Sequence, residues 1–456
     1  MDHLIELPYH PDPAPLLRVL RPFGRAALLH SSDRGHPDSR HDILCAAPSA
    51  WLETRGEVTR IADAAGMRES STPPFAVLEA WHTHAAPPPG ALPFSSGIIG
   101  LAGYDLGRPP AAPKPNRDRF PDLVAARYDW AIVSDHRTRH TWLVCPDATA
   151  GPPAELLAEL LRPVTAVADV VELPVLRCET DQAAYASAFT RVQDYIRAGD
   201  CYQANLSVRF SGAFDGDALA LYGRLSAGHP APFAGFLDTP DGSVLSFSPE
   251  RFLRIDGDRI ETCPIKGTRP RDPDPHADRA LGEALLVSPK DRAENLMIVD
   301  LLRNDLGRSC VPGSIEVPQL FGLESFGSVH HLVSHVRGRL AAGVGPLEAF
   351  ARCFPGGSIT GAPKIRAMEI IDELEPHRRG PYCGSLFMLD GSGRLDSSIT
   401  IRTLLHQDDR LYCWGGGGLV ADSVYEEEWA EIHHKVGALI GRRPSGSTSD
   451  YFTDTS

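Results

Sequence analysis

A mixed α/β fold is predicted by three features of the chain. Segments with apolar residues three and four apart alternate with short β-type runs, and glycine- and proline-rich turns separate them. The balance of 42% apolar and 23% charged residues is that of an ordinary globular protein. The 456 residues suffice for a large core, divided into two or three domains or held in one large one.

In chain order, residues 26–29 and 97–101 read as strands in a first third punctuated by Ala86-Pro87-Pro88-Pro89-Gly90 and Arg108-Pro109-Pro110-Ala111-Ala112-Pro113. A Pro/Gly/Ala-rich stretch at 146–153 precedes a Leu/Glu-rich helical segment, which places a soft boundary between 150 and 180. The expected organisation is an N-terminal region at 1–170, a second region at 180–441 and a polar, disordered tail at 442–456. Residues 181–198 read as a helix through Tyr185, Phe189, Val192 and Ile196. Strands are expected at 202–210, 244–247 and 252–255, then helices at 293–306 and 362–374, the latter with Pro363 in its first turn. Further strands are expected at 384–389, 398–405 and 410–414, and a last helix at 426–440.

The net charge of −14 argues against a general nucleic-acid surface. An anionic substrate would need local cations. Nine cysteines without a Cys-x-x-Cys pair, and an N-terminus without a basic segment and apolar run, point to reduced thiols in the cytoplasm. No apolar run is long enough to span a membrane.

The candidate chemistry centres on Pro264-Ile265-Lys266-Gly267-Thr268. A lysine between an apolar pair and a Gly-Thr turn is a poor choice for core packing, so its ammonium is a candidate reactive group. Ser248-Pro249-Glu250 supplies a candidate proton carrier, and Glu294, Glu428 and Glu431 are candidate ligands for a hard cation such as Mg²⁺. Glu428, Glu431 and Lys435 share one helix face, and on spacing alone a solvated salt-bridge ladder is the favoured reading of them. Glu294 near a helix start is equally explained as a dipole charge. Pro355-Gly356-Gly357-Ser358-Ile359-Thr360-Gly361-Ala362-Pro363-Lys364 and Trp414-Gly415-Gly416-Gly417-Gly418 read as glycine turns, open between anion binding and plain tight turns. Ala362 and Pro363 stand where a P-loop needs Lys and Ser/Thr, which excludes that motif. Strand alternation would set Arg402 opposite Ile401 and Thr403, as a carboxylate clamp or an ion-pair partner. His330, His331 and His335 suggest zinc only weakly, for want of a further ligand.

Together these segments resemble the chorismate-utilising enzymes, a family that includes anthranilate synthase component I, isochorismate synthase and salicylate synthase. The resemblance spans roughly residues 181–440. It rests on Ser248-Pro249-Glu250, Gly267-Thr268, the helix with Glu294, Val329-x-His331-Leu332-x-Ser334, the 355–364 turn, Arg402, Gly416-Gly417-Gly418 and Glu428-x-x-Glu431-x-x-x-Lys435. It implies an α/β fold of the α+β type: a large two-sheet antiparallel sandwich flanked by helices, like anthranilate synthase component I, with the site between the sheets. The Pro-Ile-Lys-Gly-Thr form resembles the aminodeoxychorismate synthase branch, whereas anthranilate synthases typically carry alanine at the position of Lys266. Leu28-Leu29-His30-Ser31, Ser39-Arg40-His41-Asp42-Ile43 and Gly103-Tyr104-Asp105-Leu106-Gly107-Arg108 resemble the same branch. Gln203 stands where water-adding members carry a lysine base.

The resemblance further implies roles. Lys266, made neutral by nearby cations and desolvation, attacks C2 of chorismate, and Glu250 protonates the departing C4 hydroxyl. Mg²⁺ held by Glu294 and Glu431, with Glu428 close by, binds the ring carboxylate. Arg402, Tyr382 and the amides of Gly416 and Gly418 anchor the enolpyruvyl carboxylate. Gly267, Thr268, His331 and Thr360 line the pocket, and Lys435 balances the glutamates. Ammonia then displaces the lysine at C4. It comes from a separate glutamine amidotransferase (glutaminase) subunit, and a tryptophan site in the N-terminal region is an open expectation. The rival readings are anthranilate synthase component I, a non-catalytic chorismate-binding subunit and, distantly, a zinc hydrolase.

Overall fold

The computed structural model describes residues 3–82, 88, 92–107, 119–146, 151–162, 171–326, 329–437 and 439; the expected C-terminal tail lies outside them. Among these residues the chain forms two antiparallel sheets of twelve strands each. The middle of the first sheet runs, in spatial order, Ala27–His30, Phe233–Thr239, Gly242–Ser248, Thr403–Gln407, Arg410–Leu419 and Gln203–Ala213. The second begins at its edge with Ile265–Pro270. It continues through Val329–Arg339, Arg259–Thr262, Arg251–Asp256, Leu395–Ile399, Ser385–Asp390 and Gly97–Ala102.

Side-chain alternation along these strands builds two cores. Ala27 packs into the core shared by the two sheets, while Leu28 turns to the core between the first sheet and its covering helices. The Arg410–Leu419 strand does the same, with Tyr412 and Trp414 inside the sandwich and Leu411 and Cys413 outside it. The helix Gln182–Ala198 covers that outer face with Tyr185, Phe189 and Val192 buried. It starts where Asp181 Oδ1 accepts the Ala184 amide at 2.7 Å and stops at Gly199, φ +83°.

Strands from both sequence regions share both sheets. Ala27–His30 pairs with Phe233–Thr239, and Gly97–Ala102 with Ser385–Asp390.

Two strand pairs pass from one sheet to the other, and this positions the site. Gly242–Ser248 lies in the first sheet and Arg251–Asp256 in the second, so Ser248-Pro249-Glu250 is a crossover. Leu395–Ile399 and Thr403–Gln407 make the opposite passage through Thr400-Ile401-Arg402. The crossovers are bonded to each other. The Ile399 amide donates to Glu250 O at 3.0 Å, the Phe247 amide to Arg402 O at 3.1 Å, and Ser248 Oγ to Ile399 O at 2.5 Å.

Several expectations change here. The single strand expected at 398–405 is two strands in different sheets, so Arg402 does not alternate with its neighbours but sits at the turn between them, φ +50°. Gly415 to Gly418 are not a turn: they continue the Arg410–Leu419 strand. Pro363 caps the Lys364–Leu374 helix from outside, because Gly361–Ala362 is a short strand paired with Gln203 and Ala204. The helix expected at 293–306 begins earlier, as Pro289–Gly307, since Ser288 caps it and Pro289 suits its first turn.

Candidate active site

Lys266 lies on the edge strand Ile265–Pro270, where the register against Val329–Arg339 shifts between Ile265 and Thr268. Gly267 makes that bulge possible. Its φ is +81°, and a β-carbon there would approach Leu285 Cδ1 to 2.8 Å and the Asp291 carboxylate to 2.9 Å. The bulge turns the Lys266 side chain toward the Pro289–Gly307 helix, where Nζ stands 2.9 Å from Glu294 Oε1.

Glu250, on the first crossover, is buried, and its Oε1 accepts the Ser358 hydroxyl at 2.8 Å. Burial raises its pKa, opposed by the Lys266 ammonium and by Ser358. A carboxyl whose pKa is raised by burial is shifted in the direction that suits a proton donor.

The last helix, Tyr425–Gly437, packs against the glycine run of Arg410–Leu419. A β-carbon on Gly417 would come 2.8 Å from Glu428 Oε2, and one on Gly415 would come 2.9 Å from Val436 Cγ1. Glycine therefore lets this helix lie close enough to present its acids. Glu428 accepts from Ser423 Oγ at 2.7 Å, and its pKa is raised by burial and by Glu431. Glu431 pairs with Lys435 Nζ at 2.6 Å and is held below its ordinary range: Lys435, Lys290 and Lys266 overcome its burial. Lys435 also donates to Gly416 O at 3.2 Å.

The ladder orients two backbone donors. The amides of Asn205 and Ser207, opposite Gly418 and Gly416, are spent on Thr360 O and Glu375 Oε1. Antiparallel alternation then turns the amides of Gly416 and Gly418 away from Gln203–Ala213, on the side where Lys435 meets Gly416 O. The Thr403–Gln407 strand pairs that side only as far as Cys413.

A second group lies on the opposite face of the Val329–Arg339 strand. His331, Val333, His335 and Arg337 line a cavity of about 320 Å³ that Ile265, Pro249 and Arg402 also border. Lys266 and Glu250 are not among its lining residues; they are the chain neighbours of two that are. His331 Nδ1 is 2.9 Å from Thr268 Oγ1, and burial, with help from Arg402, pushes its pKa down to about 4. Arg402 reaches the cavity with much of its side chain open, and the surrounding protein lowers its pKa. Across the strand, His330 Nε2 donates to Asp278 Oδ1 at 3.0 Å, and Ser334 Oγ donates to Asn295 Oδ1 at 2.6 Å. Among the described residues no group of three His, Cys, Asp or Glu side chains converges as a metal site, so the histidine run builds no zinc centre there.

Two predicted pocket residues already make contacts within the protein. Thr360 Oγ1 donates toward Gly356 O at 3.0 Å and Gly357 O at 3.3 Å. Tyr382 is buried and stacked on Trp414 with an interplanar angle of 5°. Sequence reasoning missed Ser358 as the partner of Glu250, although the Gly356-Gly357-Ser358 turn was in view. It also missed Lys290, whose charge acts on Glu428 and Glu431 and whose only signal is its place in the first turn of the Glu294 helix.

The family model of the chorismate binding enzymes matches residues 31–441. This chain belongs to the chorismate binding enzymes. It is 44% identical to the aminodeoxychorismate synthase component 1 of Salmonella typhimurium over 96% of this chain and 97% of that one. It is 40% identical to the anthranilate synthase component 1 of Thermus thermophilus over 91% of each. In structure this chorismate binding enzyme resembles anthranilate synthase component I from Streptococcus pneumoniae, with TM-score 0.78, 29% identity, and 88% of this chain and 92% of that one covered.

Proposed function

We propose that this chain is an aminodeoxychorismate synthase component 1, which converts chorismate and ammonia to 4-amino-4-deoxychorismate, a precursor of 4-aminobenzoate and folate. The observation that carries the reading is the amine of Lys266 placed at the strand bulge within the field of a buried, protonation-prone Glu250. Lys266 forms a bond to C2 of the ring, the double bond shifts, and the C4 hydroxyl leaves with a proton from Glu250. Ammonia then attacks C4, the double bond returns, and Lys266 departs with its electron pair restored. An ammonium paired with Glu294 has no lone pair to offer, so attack requires that pair to part.

The anchors support a dianionic substrate on an acidic protein. Arg402 and the Gly416 and Gly418 amides suit the enolpyruvyl carboxylate, with neutral His331 and Thr268 as hydrogen-bonding neighbours. One substrate must reach over the edge strand at Gly267 to touch both faces.

Glu294, Glu428 and Glu431 are the ligand type that a hard divalent cation takes, although among the described residues the three do not converge as a ready metal site. All are carboxylates, and the pKa of Glu428 is raised first by burial and then by the charge of Glu431. Mg²⁺ held there would neutralise the ring carboxylate and polarise it. Glu294 must exchange Lys266 for that role, and Glu431 must exchange Lys435.

The ammonia donor on this reading is a glutaminase subunit in the cytoplasm. The open tryptophan expectation is best tested at a cavity of about 130 Å³ lined by Leu29, His30, Ser31, His41 and Ile43, N-terminal residues that carry the branch resemblance. Among the described residues no helix is long and apolar enough to cross a membrane.

The test is product analysis by mass spectrometry after incubation with chorismate, Mg²⁺ and ammonium at mildly alkaline pH. An amine in place of the C4 hydroxyl with the enolpyruvyl group retained is expected. Anthranilate and free pyruvate would overturn the reading in favour of the rival branch.

A further inference from the structure

The 320 Å³ cavity has a remote end that the proposed chemistry does not use. There Cys263, in the link between Arg259–Thr262 and Ile265–Pro270, faces His335 of the Val329–Arg339 strand, with Sγ 3.5 Å from Nδ1. The other ring nitrogen, Nε2, is 3.2 Å from Glu324 Oε1. All three residues line the cavity. Thiol, imidazole and carboxylate thus stand in series on an open wall. Strand alternation explains the placement: His331, His335 and Arg337 point into the cavity while His330 and Ser334 point to the helices.

We propose that Cys263, paired with His335 and oriented by Glu324, is a peroxide-reactive thiol opening into this cavity.

The carboxylate of Glu324 fixes the ring so that Nδ1 faces sulfur, and an imidazolium there favours the thiolate. In keeping with this, the pKa of His335 is pushed up to about 10, first by the hydrogen bond to Cys263 and then by Glu324. The charges around the pair come from each neighbouring strand: Arg337 beside His335, and Glu261 with Arg254 and Arg259 across the sheet. Glu261 absorbs much of the arginine charge, at 3.3 Å from Arg337 and 3.1 Å from Arg259.

In the reaction the thiolate sulfur attacks one oxygen of a hydroperoxide. An S–O bond forms and the O–O bond breaks, so sulfur is oxidised by two electrons and the peroxide is reduced. The leaving hydroxide takes the Nδ1 proton of His335 and departs as water. The product is a sulfenic acid in the cavity wall. Its formation does not depend on the chorismate reading.

The chain supplies its own control. Of its nine cysteines, Cys178 and Cys263 are the two not buried. Cys178 donates to Thr180 O at 3.1 Å, and burial raises its pKa to about 11.

The experiment treats the intact reduced protein at pH 7 with hydrogen peroxide and a sulfenic-acid trap, dimedone, and quantifies labelled peptides by mass spectrometry. Cys263 is expected to label at least about tenfold faster than Cys178, because burial holds the Cys178 thiol protonated while the His335 ring stands against Cys263 Sγ. His335→Asn should bring the ratio down to near one, and Glu324→Gln should reduce it severalfold. Equal labelling of the two cysteines in the unmodified chain overturns the proposal, and that comparison holds whether or not either variant folds. A ratio unchanged in a folded His335→Asn protein overturns it too.

Discussion

At the scale of single residues, Lys266 and Glu250 carry the proposed chemistry, and the charge of Lys266 acts on the buried Glu250. Glu250 is buried, and burial raises its pKa against the opposing charge of Lys266, the direction a general acid needs. Glu250→Gln should lower turnover by roughly 10²- to 10⁴-fold and remove the limb on which rate falls with rising pH, because that limb is the loss of the Glu250 proton. Steady-state rates across pH check both. Lys266→Ala should cost at least about 10²-fold with the fold intact. His331 gives a stability prediction of definite sign. Its folded pKa of about 4 lies below the ordinary 6.5, so the unfolded chain binds more protons between these values. Stability from burying neutral His331 is complete above pH 6.5 and is lost as pH falls toward 4; His41, lowered to about 4 by burial, acts in the same direction. Melting temperatures between pH 7 and 4 should fall, and less steeply in His331→Gln.

At the scale of elements, the glycine run distinguishes packing from chemistry. Gly416→Ala would put a β-carbon 2.7 Å from Leu206 O, a backbone atom that cannot move aside, and should cost about 1–3 kcal/mol in denaturant titrations. Gly417→Ala meets only the end of the Glu428 side chain at 2.8 Å. It should keep most of its stability while raising the Mg²⁺ concentration needed for half-maximal turnover. The helices were legible in the sequence because each carries an apolar stripe and its punctuation, as in Asp181 and Gly199 around Gln182–Ala198. The break at Thr400-Ile401-Arg402 was not. Thr, Ile and Arg continue a β-type run, and only the partner crossover at Ser248-Pro249-Glu250 explains why the chain changes sheets there. The glycine strand was misread for the converse reason: four glycines signal a turn locally, and their use as a flat bed for a helix is a long-range fact. Lys266, Glu250 and the acids of the last helix were legible as reactive types, but their relative placement depends on the bulge at Gly267 and on the two crossovers.

At the scale of the whole molecule, the two sequence regions are knitted into the same sheets, so the N-terminal cavity and the larger one share Asp38, Pro232, Phe233 and Arg251 as a common wall. Arg251 is held there by Asp38 at 3.0 Å and Asp396 at 2.9 Å. The proposed supply of ammonia is tested at this scale. The chain with ammonium should consume chorismate, whereas with glutamine it should do so only after a glutaminase subunit is added; an assay of chorismate loss with and without that subunit checks it.

The most direct measurement is the intact mass of the protein after incubation with chorismate and Mg²⁺ in the absence of ammonium. Attack by Lys266 predicts a species heavier by one chorismate less one water, mapped by peptide analysis to Lys266 and discharged on adding ammonium. No such species, or one that persists in Lys266→Ala, would contradict it.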